Sequence, residues 1–230
     1  MSNNRVEAAF RRELLSAEGR RMLSLLESCP LDKLDIAKEE NGRPFFPDRR
    51  ADFNISHSGN MAAVSLVKSL AYDGVIIMRT GCDIELVRAR PNAKKIAGDF
   101  FTGAERDYIF AQDETVTEQA RFFEIWTLKE CFLKLRGLSV FDMADVPSFI
   151  KGDAEGRLHF AFCGAASSPL SFNLYELSGP GEHYVLASVI EGAGQLQPEM
   201  RWFSPSFLAA RSIAAIKAEI SPPETVRAKM

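Results

Sequence analysis

The sequence predicts an α+β protein in which helices and strands lie in separate blocks. Apolar residues recur at helical spacing over 6–28 and 118–136, and β-prone runs occupy 61–67, 75–78, 158–162, 171–176 and 184–190. The order helix, turn, strands occurs in both halves of the chain, which is compatible with a duplicated α+β architecture. We therefore expect an N-terminal half over 1–88, a C-terminal half over 89–192 and an extension over 193–230.

Each element has a local signal. Residues 6–28 form one helix or two, and Asn-Gly and Pro mark a turn at 41–44. The run 61–67 fits a helix or a buried strand, and we favour a strand because the run 75–78 can pair with it. Strand-like residues continue over 81–87, a capping box from Thr102 to Glu105 begins a short helix, and Gly137 ends the helix 118–136. Residues 207–220 fit an amphipathic helix, and the end of the chain is expected to fray.

Composition and charge point away from several classes of protein. The net charge of −3 gives no overall attraction for nucleic acid or for an anionic membrane. The four cysteines lie far apart, without the spacing of a zinc site or of a disulfide framework. No apolar run approaches the roughly 20 residues that span a bilayer, and the first residues lack the apolar stretch of a signal peptide. We expect a cytoplasmic protein that binds neither nucleic acid nor membrane.

Three carboxylates and a lysine are the candidate catalytic and metal-binding residues. Asp83 and Glu85 lie two apart on a predicted strand, so they point to the same face about 7 Å apart. Glu130 shares a helix face with Trp126 and Lys134, and its apolar neighbours favour its use as a base or as a metal ligand. This set suits Mg²⁺ bound together with phosphate oxygens. The alternatives are a solvated strand face and a simple Glu130–Lys134 helix ion pair, worth about 0.2–0.5 kcal/mol.

The segment Ser56-His57-Ser58-Gly59 is a candidate anion-binding segment. Its two hydroxyls and its imidazole can surround an anionic oxygen with hydrogen-bond donors. Adjacent Ser and His rarely meet as nucleophile and base, and no G-x-S-x-G motif is present. Phosphate binding is therefore better supported than nucleophilic catalysis, and a polar turn that caps a helix is the alternative.

Residues 53–59, 81–85 and 126–134 together resemble, in order, the three signature motifs of the Sfp-type phosphopantetheinyl transferases. Those motifs are (N)-(I/L)-S-H-S, G-x-D-x-E and W-x-x-K-E-x-x-x-K. Gly42-Arg43-Pro44 is similar to the G-(K/R)-P element that often precedes the first motif. Each motif alone is weakly specific, whereas the ordered set is strongly specific. The resemblance covers about residues 40–140.

The resemblance implies two similar α+β halves with the active site between them, acting as a monomer. It implies Mg²⁺-dependent transfer of 4′-phosphopantetheine from coenzyme A to a serine of an apo acyl, aryl or peptidyl carrier protein, with release of 3′,5′-ADP. It also implies a role in secondary metabolism. The related holo-acyl-carrier-protein synthases are about half as long and trimerise, so the length of this chain favours the fused form.

The resemblance also implies roles for individual residues. Asp83, Glu85 and Glu130 would hold Mg²⁺ against the pyrophosphate of coenzyme A, and Glu130 would accept the proton of the carrier serine directly or through water. The phosphate groups of coenzyme A would be contacted by Lys134, Ser56, His57 and Arg43. The role of Lys129, the identity of the base and the basic residues that bind the 3′-phosphate stay open.

Two other functions stay open. One is another Mg²⁺-dependent phosphoryl enzyme, such as a phosphodiesterase, which predicts turnover without coenzyme A. The other is a non-catalytic carrier-binding module, and the presence of all three acids together with Lys134 argues against it. The sequence does not select among fatty-acid, polyketide and peptide carriers.

Overall fold

The fold is taken from a computed structural model, which describes residues 17, 19–24, 27, 30–48, 51–68, 78–111, 116–154, 157–164, 168–179, 181–192 and 225–228. The helices α1, α2 and α3 span Ala93–Phe100, Gly103–Ile109 and Glu118–Arg136. Short 3₁₀ turns occupy Leu31–Lys33 and Val140–Asp145. The strands β1 to β10 span Ala37–Lys38, Pro44–Phe45, Asp52–Ser58, Met61–Val67, Arg79–Leu86, Ser148–Ala154, Arg157–Cys163, Leu170–Gly179, Glu182–Glu191 and Thr225–Ala228. The predicted α+β class is confirmed.

The strands of the described residues form four antiparallel sheets. The largest has the order β10-β8-β9-β5, and the pairs β1-β2, β3-β4 and β6-β7 form the others. The strand β5, which belongs to the predicted N-terminal half, pairs along its whole length with β9, from Arg79 opposite Glu191 to Leu86 opposite Tyr184. The two halves therefore share a sheet. Their duplication and the proposed boundaries stay predictions.

The helix α3 lies at the centre of the largest hydrophobic core. Fourteen of its 19 residues are buried, as expected for a helix that is covered on nearly every side. It packs on α1 and α2 and on the inner residues of β8 and β9, such as Leu174 and Val185. Thr117 caps its start, and Gly137 ends it in the left-handed conformation at φ 67°. The limits predicted from the sequence are confirmed.

Most other local predictions within the described residues are confirmed. The run 61–67 is a strand, and Thr102 and Glu105 form the capping box. The predicted strands 158–162, 171–176 and 184–190 lie inside β7, β8 and β9. The segments 75–77 and 207–220 and most of 6–28 lie outside the described residues, although 19–24 is helical.

The fraying expected at the end of the chain is wrong for residues 225–228. They form β10, which pairs antiparallel with β8, from Thr225 opposite Ser178 to Ala228 opposite Tyr175. Backbone pairing with a sheet edge holds a segment that composition alone assigns to a loose tail. Among the described residues, no helix is long and apolar enough to cross a membrane.

Candidate active site

Alternate polar side chains of β3 hold this strand against β5. Side chains at positions 52, 54, 56 and 58 accept hydrogen bonds from the amides 28 residues further along the chain. The bonds join Asp52 to Thr80, Asn54 to Cys82, Ser56 to Ile84 and Ser58 to Leu86, at 2.7, 3.4, 3.2 and 3.1 Å. One edge of β5 is thus satisfied by side chains instead of a neighbouring backbone. The helix-capping turn considered as the alternative for 56–59 does not form, because residues 56–58 belong to this strand.

The same hydroxyls orient the two acids of β5. Ser56 Oγ donates to Asp83 Oδ1 at 2.7 Å, and Ser58 Oγ donates to Glu85 Oε2 at 2.7 Å. Asp83 is only 4% exposed, so the solvated strand face considered as an alternative does not apply to it. Each serine therefore bonds at once to a backbone amide and to an acid of the neighbouring strand.

The helix α3 brings Lys134 to this strand. Lys134 Nζ lies 2.6 Å from Asp83 Oδ1 and donates to Ser56 Oγ at 2.8 Å. Among the described residues, the ion pair of Lys134 is with Asp83 and not with Glu130, so the simple helix ion pair is wrong. Burial by itself lowers the pKa of Lys134, but the neighbouring negative charges, of which Asp83 contributes most, and the hydrogen bond to Asp83 together outweigh burial and raise that pKa.

Gly81 permits the close approach of α3 to β5. A Cβ atom at Gly81 would lie 2.4 Å from the carbonyl oxygen of Cys131 and 2.9 Å from the amide nitrogen of Leu135. The Sγ atom of Cys131 in turn donates to the carbonyl of Gly81 at 3.3 Å. The glycine of the G-x-D-x-E pattern therefore sets the distance between the acids on the strand and the side chains of the helix.

These contacts bring the second and third sequence motifs together inside one segment. Residues 79–188 match the sequence profile of the 4'-phosphopantetheinyl transferase superfamily.

Curated relatives of the chain are named as 4'-phosphopantetheinyl transferases. The chain is 33% identical over 115 residues to a putative 4'-phosphopantetheinyl transferase of Haemophilus influenzae, covering 50% of this chain and 45% of the relative. It is 36% identical over 118 residues to the 4'-phosphopantetheinyl transferase AcpT of Escherichia coli K12, covering 50% and 54%. It is 36% identical over 110 residues to the 4'-phosphopantetheinyl transferase Sfp of Bacillus subtilis, covering 46% and 44%. The chain thus spans about half the length of the curated relatives it matches.

Burial and neighbouring charge disfavour the carboxylate form of two acids, Glu130 and Glu85. Burial and then the charge of Asp83 raise the pKa of Glu130 to about 7. The same two causes, in the same order, raise the pKa of Glu85. Asp83 Oδ2 is buried and has no hydrogen-bond partner among the described residues. A cation placed among the three acids would relieve their repulsion and would give that oxygen a partner.

The acids fit a metal ion that takes the rest of its ligands from substrate phosphate oxygens and water. Among the described residues, no three or more His, Cys, Asp and Glu side chains converge into a complete metal site. Mg²⁺ takes only one or two carboxylates in many phosphate-handling enzymes, and phosphate oxygens and water complete its coordination. The donor set of hard oxygens and the orphaned Asp83 oxygen therefore suit Mg²⁺ rather than a softer metal.

The Arg43 side chain is buried in the scaffold of the site. Its guanidinium donates to both carboxylate oxygens of Asp52, at 2.8 and 2.6 Å. It also donates to the carbonyl of Thr80 at 3.0 Å and to that of Lys134 at 3.2 Å. Four of its five N–H donors are thus used within the protein. This geometry favours a scaffold role over the predicted contact with coenzyme A, which stays a prediction.

Lys129 has a structural environment. Its ammonium lies 3.3 Å from Glu105 and donates to the carbonyl of Val146 at 3.0 Å, and both side chains of the ion pair are fully buried. Glu105 also accepts hydrogen bonds from the amides of Thr102 and Phe149. Lys129 therefore ties α3 to the start of α2 and to β6. His57 is half-buried on the face of β3 opposite Ser56, and its predicted phosphate contact is untested.

Proposed function

We propose that this protein is an Sfp-type 4′-phosphopantetheinyl transferase. It transfers the phosphopantetheine arm of coenzyme A to a serine of an apo carrier protein and releases 3′,5′-ADP. The observation that carries this proposal is the 2.6 Å contact between Lys134 and Asp83, which joins two motifs within the segment that matches the superfamily. The activity named for the relatives supports it over the matched part of the chain only.

The proposal assigns magnesium to the three acids. Asp83, Glu85 and Glu130 would hold the ion, and bound Mg²⁺ would neutralise the charge that develops on the pyrophosphate. Lys134 places a positive charge beside Asp83, where it can contact a phosphate oxygen. Ser56 and Ser58 keep two of the acids in place.

In the proposed reaction the carrier serine oxygen attacks the β-phosphorus of coenzyme A. A new P–O bond forms, and the bond between that phosphorus and the oxygen of 3′,5′-ADP breaks. Glu130 accepts the serine proton, since a carboxyl whose pKa is about 7 can exchange protons at neutral pH. Ser56, His57 and Arg43 are proposed as coenzyme A contacts from their motifs alone.

The proposed activity is tested by measuring the intact mass of carrier proteins. Apo carriers of the fatty-acid, polyketide and peptide types are incubated with the protein, coenzyme A and Mg²⁺, with EDTA in a parallel sample. We expect the mass of at least one carrier to increase by one phosphopantetheine arm, and EDTA to prevent the increase. The set of carriers modified then identifies the partner class.

A matched pair of variants tests the acidic site in the same assay. Asp83→Asn removes a charge from the site, whereas Asp99→Asn removes an exposed charge on α1 that pairs with Lys95. We expect the first to abolish transfer and the second to preserve it. Hydrolysis of coenzyme A without any carrier would instead indicate a phosphodiesterase. Coenzyme A binding without transfer to any carrier would favour a non-catalytic carrier-binding module.

The proposal includes a monomeric state. Light scattering on the purified protein at concentrations used in the assay measures it directly. A mass near 25.6 kDa is the expected value for the monomer. A mass three times larger would indicate a trimer and would contradict the proposed monomer.

A further inference from the structure

Arg90 is a positive charge at the site that none of the motifs includes. It follows β5 and precedes α1, and it is half-buried. Its guanidinium carbon lies 4.5 Å from the ring centroid of Trp126 and 5.7 Å from that of Phe122. Cation–π contacts of this kind hold a guanidinium in a defined orientation on an aromatic face. Arg90 is therefore positioned by the helix that also carries Glu130 and Lys134.

The hydrogen-bond donors of Arg90 are unused within the part of the chain that the structure describes. Its side chain forms ring contacts there, but neither a hydrogen bond nor an ion pair. Arg43 offers the opposite case, because its donors are occupied by Asp52 and by two backbone carbonyls. Within the described residues, Arg90 is thus the one of these two arginines whose donors have no protein partner and can meet an anionic ligand.

Arg90 lies near two of the three acids, Glu85 and Glu130, because its charge acts on both. The charge of Arg90 offsets part of the effect of burial and of Asp83 on the pKa of each of these acids, and the charge of Lys134 acts on Glu130 in the same direction. Among the described residues Arg90 forms no ion pair with either acid, so its guanidinium is separated from both carboxylates. An arginine near two acids would ordinarily close on one of them as a bidentate pair, and stacking on the rings holds it back.

We propose that Arg90 binds a phosphate oxygen of the coenzyme A pyrophosphate, as a second cationic contact in addition to Lys134. The inference rests on the proposed function. A planar fork with free donors, held at a distance from two acids, suits a phosphate group that lies between them with a metal ion. The half-buried position favours a small ligand held at the acids over the surface of a partner protein. Arg88, two residues earlier, is exposed and serves as its matched control.

Calorimetric titration with coenzyme A and Mg²⁺, in the absence of any carrier, tests this assignment. We expect Arg90→Gln to weaken coenzyme A binding about 10- to 100-fold, because a charge-assisted hydrogen bond is lost. Arg90→Lys keeps the charge but loses the fork, so its affinity should lie between those of Arg90→Gln and the wild type. Arg88→Gln should bind within about twofold of the wild type. Thermal unfolding of each variant shows whether the loss of ring contacts has affected folding, and Arg90→Met, which keeps an apolar side chain against the rings, replaces Arg90→Gln if it has.

The outcomes separate the possible failures. Unchanged coenzyme A affinity in folded Arg90→Gln or Arg90→Met overturns the assignment, and a raised KM for the carrier alone would make Arg90 a contact for an acidic carrier surface. If the wild type itself binds no coenzyme A, the proposed function fails, and the inference about Arg90 fails with it. Weaker binding by Arg88→Gln to the same extent would point to a general effect of surface charge and would also overturn the assignment.

Discussion

Substitution of Gly81 by alanine tests whether the separation of α3 from β5 sets the geometry of the site. The new Cβ atom would lie 2.4 Å from the carbonyl oxygen of Cys131, and contacts under 3.0 Å are essentially never seen for real Cβ atoms. The helix or the strand must therefore move by at least about 0.6 Å, the difference between 3.0 and 2.4 Å. Because the obstacles include the backbone atoms of Cys131 and Leu135, a side-chain rotation cannot relieve them.

This displacement has a cost in stability and a larger cost in activity. Overpacking of a close contact typically costs about 1–3 kcal/mol, which corresponds to a fall in melting temperature of roughly 2–12 °C for a chain of this size. The Lys134–Asp83 contact of 2.6 Å lies close to Gly81 and would be stretched by the same movement. A misplacement of about 1 Å can cost about 100-fold in rate. We expect kcat to fall about 100-fold while most of the protein stays folded.

Gly98→Ala is the matched control for this prediction. Gly98 lies in α1, and a Cβ atom there would meet nothing within 4 Å. Alanine favours a helix over glycine by about 0.5–1 kcal/mol, so this variant should be slightly more stable and fully active. Melting curves and steady-state transfer kinetics measure both variants. If Gly81→Ala matches the wild type in melting temperature and in kcat, the close approach does not constrain the site, and the reasoning is wrong.

Three further predictions follow from other contacts. Lys129→Met leaves Glu105 buried without its ion-pair partner and should lower the free energy of unfolding in urea by about 3–5 kcal/mol. Adding Glu105→Gln should recover most of this loss. An unchanged free energy of unfolding in Lys129→Met would contradict the structural role. Ser56→Ala removes three hydrogen bonds, one donated to Asp83 and two accepted from the Ile84 amide and from Lys134, so it should cost about 1–3 kcal/mol and lower Mg²⁺ affinity. Unaltered metal binding by this variant would show that the serine does not support the site. The pKa of Glu130 is raised from 4.5 to about 7, so protons compete with metal below pH 7 and Mg²⁺ should bind about tenfold more weakly at pH 6 than at pH 8. By the same shift the folded state holds more protons than the unfolded one between these values, and the contribution of Glu130 to the unfolding free energy should fall as pH rises from 4.5 to 7.

The sequence predicts the elements of the site better than their contacts. Local signals account for α3, since a threonine cap, apolar residues and a terminal glycine all act within a few residues of the helix. The pairing of Lys134 with Asp83 depends on how α3 docks on β5, and helical spacing alone favours the wrong partner, Glu130. Lys129 shows the same limit. On a helix that is buried nearly all round, periodicity does not indicate which lysine enters the core.

One missed feature did have a signal in the sequence. Polar residues alternate at 52, 54, 56 and 58, which is the period of a strand with one polar face. From the sequence, only residues 56–59 are assigned to an anion-binding segment, and this polar face is not identified. In the structure the side chains at 52, 54, 56 and 58 accept hydrogen bonds from the neighbouring strand. Asp52, the ion-pair partner of Arg43, lies only nine residues later in the sequence. No local pattern predicts that pair, because the fold brings the two side chains together.

The hydrogen bonds between β3 and β5 couple the amide hydrogen exchange of β5 to the integrity of the candidate active site. The amides of Thr80, Cys82, Ile84 and Leu86 are shielded from solvent only while β3 is in place, because their partners are side chains of β3. If β3 separates, these amides become exchangeable in the same event that frees the acids from Ser56 and Ser58. A ligand that holds the acids would therefore slow deuterium uptake along the whole edge of β5, including amides that it never touches. The deuterium exchange rate of these β5 amides therefore reports the stability of the contact between β3 and β5 at the site.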